Sequence, residues 1–99
     1  MKLKTLHENE EKRIVVVAEL LAEFLRENDM PINDIVDFGG YALIEINRHK
    51  AVEVWENDGM LHVYKRDPVP RYGKFNLVLK VDYHDPNSFQ SVLDALNEA

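Results

Sequence analysis

Val52-Glu53-Val54-Trp55-Glu56-Asn57-Asp58-Gly59-Met60-Leu61-His62-Val63-Tyr64 is the stretch whose reading decides the fold. Two runs that alternate in polarity flank Asn57-Asp58-Gly59, and Asp-Gly between such runs is a strong short-range hairpin signal. A two-residue turn at Asp58-Gly59 and a four-residue turn over 56–59 place the same side chains together. Either way Val52, Val54, Leu61 and Val63 share one face, and Glu53, Trp55, Met60, His62 and Tyr64 share the other. A slip of one residue would exchange the two sets, so the inference rests on the alternation and not on the turn type.

More strands lie on either side of this hairpin. The stretch 41–46 is apolar at nearly every position, as expected of a strand buried on both faces, with Glu45 the exception. Asn47-Arg48-His49-Lys50 turns the chain from there into 52–56. After the second arm, 60–66, the segment 67–73 holds Pro68 and Pro70, which cannot serve a central ladder, and reads as a loop. In 74–83, Phe75, Leu77, Leu79, Val81 and Tyr83 alternate with Lys74, Asn76, Val78, Lys80 and Asp82, so the first set is expected on the core face. Gly39-Gly40 marks a turn or bulge, and 32–38 is a connection to which the sequence assigns no form.

The flanking segments are helical. Ile14, Val17, Leu21 and Leu25, with Ala18, Leu20 and Phe24, repeat at three and four over 10–27. The β-branched run Ile14-Val15-Val16-Val17 favours a strand, but Ala18 to Arg26 continues one helical period with strong helix formers. Val15, Val16 and Ala22 widen the stripe beyond half the circumference, which calls for a second covering surface. Pro31 is expected to stop this helix. Asp85-Pro86 reads as an N-cap with proline at the first helical position, followed by Phe89, Val92, Leu93 and Leu96 at helical spacing.

The expected architecture is α+β: an N-terminal helix, a four-stranded antiparallel meander and a C-terminal helix, with both helices packed on one sheet face. Leu21, Leu25, Ile44, Val54, Val63, Leu77, Leu79 and Leu93 are its expected core. One domain is expected over 1–99, with 1–8 as a flexible N-terminus, because 99 residues without repeat or linker suit a single core. The order of elements resembles cystatin-like and secretion-chaperone-like folds, in which a helix packs on an antiparallel sheet. No motif of either is present, so the resemblance concerns architecture and implies no function.

Composition narrows the function classes. The net charge of −6 argues against direct nucleic-acid binding, which wants a basic surface. Acids concentrate in 8–29, while Lys65, Arg66, Arg71 and Lys74 make 65–74 basic. No cysteine is present, which removes disulfides, thiolate metal sites and a cysteine nucleophile together. The longest apolar run, 14–18, is too short to cross a membrane, and Met1-Lys2-Leu3-Lys4 leads into no apolar segment, so neither membrane nor secretion is expected and the cytoplasm is the default location.

Little chemistry assembles. There is no glycine-rich phosphate loop, nucleophile elbow, His-Glu-x-x-His or calcium loop. His49, His62 and His84 are not spaced to converge on a metal, and His84 with Asp82 and Asp85 makes a small polar cluster in which Asp85 serves as a cap. Glu19 and Glu23 sit on the solvent side of the first helix, and Ser88 and Ser91 suit a helix start better than nucleophilic attack. No catalytic residue, metal or cofactor is therefore expected.

The functional hint is the outer hairpin face. Trp55, Met60, His62 and Tyr64 form a cluster of the residue types enriched at interface cores, and Arg66, Arg71 and Tyr72 extend it with charges suited to an acidic partner. The expected role is a non-enzymatic protein-binding or regulatory domain whose partner is another protein or a second copy. Two alternatives stand beside it. One is an acidic inhibitor, from a phage or mobile element, that blocks a nucleic-acid-binding or nuclease protein. The other is an enzyme or ligand-binding domain with a pocket between the first helix and the sheet, near Glu45 and His84.

Overall fold

The alternation of 52–64 becomes the central hairpin of a sheet that grows outward from it. The computed structural model describes residues 13–66 and 74–98. Its elements are α1 (Arg13–Glu27), β1 (Asp34–Asp37), β2 (Tyr41–Asn47), β3 (Lys50–Trp55), β4 (Met60–Arg66), β5 (Phe75–Asp82) and α2 (Ser88–Asn97). The strands pair antiparallel in chain order, β1-β2-β3-β4-β5, which makes the fold α+β. The expected N-terminal segment 1–8, the helical residues 10–12 and the loop 67–73 lie outside the described residues. No helix among the described residues is long and apolar enough to cross a membrane.

The sheet has five strands, not the expected four. The extra one, β1, falls inside 32–38, with Ile35 opposite Ile44 and Val36 opposite Leu43. Two apolar residues between Asp34 and Asp37 are too few to show a period. The strand forms because β2 would otherwise present an unpaired ladder of backbone groups.

In the central hairpin Val52 pairs with Val63 and Val54 with Leu61, so the predicted face is the buried one. The connection runs over 56–59, with Gly59 in the left-handed region (φ 64°) and the Met60 N–H donating to Asp58 Oδ1 at 3.1 Å. One core cluster joins Ile14, Ala18, Leu21 and Leu25 of α1 and Val92, Leu93 and Leu96 of α2 to alternate residues of β2, β3 and β4. The two helices also touch each other, with the Phe24 and Phe89 rings 5.9 Å apart. That contact supplies part of the second surface the wide stripe of α1 calls for. Ala22 is buried, but Val16 and Leu20 stay exposed.

Strand β2 is not buried on both faces. Ala42, Ile44 and Ile46 enter the core, whereas Tyr41, Leu43 and Glu45 are half-buried on the opposite face. A larger departure occurs in β5. Tyr64 faces Leu77 but Val63 faces Leu79, so Val78 is an extra residue, a bulge. The bulge sends Leu79 and Val81 toward the core while Phe75 and Leu77 share the far face with Arg66 and Tyr64. Leu77 is 50% exposed, and the expectation that it sits in the core is corrected.

The first helix ends at Glu27 as expected, whereas the second starts later than expected. Helix α1 ends in a Schellman motif: Met30 N–H donates to Leu25 O at 2.8 Å, Asp29 N–H donates to Arg26 O at 3.1 Å, and Asp29 takes φ 66°. Leu25 and Met30, the two apolar positions of that motif, are both in the core. The turn is complete before Pro31 is reached. Helix α2 starts at Ser88 with Asn87 at the N-cap position, after Asp85-Pro86. Asp85 Oδ1 instead accepts the Asn87 N–H at 2.8 Å, forming a separate turn.

Candidate functional site

The sheet face turned away from the core carries the hairpin residues singled out by the sequence. Strand pairing arranges them in rows that run across the strands. Tyr41 lies opposite Trp55; Leu43, Glu53, His62 and Lys80 make the next row; Glu45, Ala51, Tyr64 and Leu77 the third; and Arg66 with Phe75 the fourth. Trp55, Met60, His62, Tyr64 and Arg66 are each half-buried, and Arg71 and Tyr72 lie outside the described residues.

The aromatic members form a ladder. Ring centroids are 5.1 Å apart for Phe38–Tyr41, 4.6 Å for Tyr41–Trp55 and 5.7 Å for Trp55–His62, with interplanar angles of 21°, 13° and 26°. Tyr64 closes the row, tilted at 50° and 6.3 Å from His62. These separations resemble the spacing between strands, about 4.8 Å, so the rings stand up from the sheet and stack on one another. The faces of Tyr41 and Trp55 are consumed by mutual contact, while Phe38 at the end of the row stays 53% exposed. Among the described residues this shields apolar surface without a covering layer.

Polar groups tie the ladder down. Trp55 Nε1 donates to Glu53 Oε1 at 2.8 Å. The Tyr64 hydroxyl lies 3.5 Å from His62 Nδ1 and is pushed above its ordinary value, first by burial and then by the Glu53 charge. His62 Nε2 lies 3.5 Å from Asp58 Oδ2 without forming a hydrogen bond, and Lys80 Nζ is 3.7 Å from the same oxygen. Asp58 thus reaches back from the turn to the second row.

Beside the ladder the face sinks into a groove of about 510 Å³. Ala51 is its floor: a methyl group stands where its row neighbours carry Glu45 and Tyr64. Leu43, Glu45, Glu53, Arg48, Arg66 and Phe75 line the groove as well. The Arg66 guanidinium lies 4.4 Å from the centre of the Phe75 ring. Glu45 Oε1 accepts from Asn33 Nδ2 at 2.9 Å.

Other candidates are dispersed. Asp82 Oδ1 accepts the His84 backbone N–H at 2.8 Å and meets His84 Nδ1 at 2.9 Å, which holds the Asp82 carboxyl below its ordinary range, the backbone bond first. His84 stands over Gly59, away from Glu45, so the two do not share a pocket between α1 and the sheet. His49 is exposed in the β2–β3 turn. Among the described residues no three acids or histidines are placed to hold a metal ion. On α1, Glu19, Glu23 and Glu27 are exposed, but exposed Val16 and Leu20 interrupt the acidic stripe. The basic segment is divided too: Lys65 turns to the core side, where its Nζ donates to the carbonyls of Ala95 and Glu98 at the end of α2.

Sequence reasoning missed Phe38, Tyr41, Ala51 and Phe75. Tyr41 had a usable signal, since counting back through the β2–β3 turn sets it near Trp55. Phe75 had none, because the bulge reverses its face. No protein-family model, curated protein or solved structure matches this chain.

Proposed function

We propose that this chain is a small non-enzymatic binding domain that meets another protein, or a second copy of itself, through the open face of its sheet. One observation carries the reading. Among the described residues both helices join the core on the other face, while the open face combines the aromatic edges with exposed Phe75 and Leu77. Tyrosine and tryptophan supply large contact area at little entropic cost, and together with arginine they dominate interface energetics. The stacking argues against single-stranded nucleic acid, whose bases need ring faces lying open to solvent.

A photoreactive amino acid tests this directly. Placed at Leu77 on the open face, it should yield a discrete cross-linked adduct in the native host or with a second copy in purified protein. Placed at Leu20, equally exposed on α1, it should not. Adducts from Leu20 alone, or none from either site in a protein that sediments as a monomer at every concentration, sink the proposal.

A further inference from the structure

We infer that the groove over Ala51 is a binding site for a short zwitterion of dipeptide size, taking its ammonium on Glu45 and Glu53 and its carboxylate on Arg66 and Arg48. This inference does not rest on a protein partner. It stands on four charges around one cavity. Among the described residues neither carboxylate and neither guanidinium has an ion-pair partner. Groups of opposite charge that line one cavity without pairing present a complementary field to a ligand that carries both.

The two ends are prepared differently. Glu53 accepts from Trp55 Nε1, which leaves its remaining lone pairs for a donor from the groove. Arg66 lies over the Phe75 ring, and its Nε is buried without a hydrogen-bond partner. A planar guanidinium fixed in that way is suited to grip a carboxylate with two parallel bonds.

Geometry sets the ligand length. Arg66 lies one row and two strands from Glu45, and two rows and one strand from Glu53, since its N–H bonds to His49 O next to the Lys50–Lys65 pair. The backbones are therefore about 12 and 14 Å apart. The glutamate and arginine side chains reach inward from both ends, which leaves a span suited to an extended dipeptide, about 7 Å from ammonium to carboxylate. A groove of about 510 Å³ lies within the range of small-ligand sites, and Leu43, Tyr64 and Phe75 give an apolar side chain a wall to rest on.

Titration calorimetry of the full chain with L-alanyl-L-phenylalanine is the test. Binding should be measurable, and acetylating the amine or amidating the carboxylate should each weaken it at least tenfold. Ala51→Leu, which fills the floor without touching a charge, should abolish it in a protein whose circular dichroism is unchanged. Arg66→Gln should narrow the preference for the free dipeptide over its amide at least threefold, a change of preference that misfolding cannot mimic. The inference is overturned if the free dipeptide gives no heat at millimolar concentration, if blocked and free forms bind alike to the wild type, or if Ala51→Leu binds as the wild type does. Cross-linking from Leu77 stands or falls separately, so failure here leaves the protein-partner reading in place.

Discussion

Leu77 and Leu79 look equivalent in sequence, and the bulge at Val78 makes them opposites. Truncating a fully buried leucine to alanine removes three carbons at about 0.8 kcal/mol each, before any cavity term. Leu77 is 50% exposed on the open face, so roughly half of that applies and no closed void forms: about 1 kcal/mol. Leu79 packs against the core cluster, where the transfer and cavity terms together come to about 2–3 kcal/mol. Urea unfolding of Leu77→Ala and Leu79→Ala should therefore show Leu79→Ala costing about 1–2 kcal/mol more. A deletion sharpens the test. Removing Val78 joins the Val63–Leu79 and Tyr64–Leu77 pairs into a regular ladder, so the chain should stay folded with stability within about 1 kcal/mol of wild type. Removing Glu53 from β3 instead, where the ladder with β4 has no extra residue to absorb it, sets one half of that strand on the wrong faces, so that chain should not fold cooperatively. If Leu77→Ala costs as much as Leu79→Ala, or the Val78 deletion unfolds the protein, the bulge and the face assignment of β5 are wrong.

Two further outcomes follow from local geometry. Asp29→Gly should raise stability by about 0.5–1 kcal/mol, because glycine takes the left-handed C′ position without a Cβ penalty; an unchanged or lower urea midpoint would contradict the Schellman assignment. Tyr64 ionises at a higher pH in the folded protein than at its ordinary 10.0, so above that pH the unfolded chain loses its proton first and stability falls as pH rises toward the folded value. Tyr64→Phe should flatten the part of the stability profile above pH 10.0, and matching slopes in mutant and wild type would refute it.

The amino-acid sequence by itself determined the class of the fold and its centre. A strict alternation around Asp58-Gly59 specifies register, because any slip would bury Glu53 and His62 and expose the valines. Helical periods with long apolar stripes were equally legible, since each repeats over several turns. Tertiary structure alone decided what lies beyond such periods. Strand β1 is too short to show one and owes its existence to the edge of β2. The bulge at Val78 is invisible to pattern reading, because one extra residue changes no composition yet reverses every face before it. The open face followed from both: its hairpin half, Trp55, His62 and Tyr64, was read from alternation. The stacking partner Tyr41, the floor at Ala51 and the Arg66–Phe75 pair required strands distant in sequence to meet. Periodicity is a local property of the chain, whereas a groove is made by neighbours across a sheet.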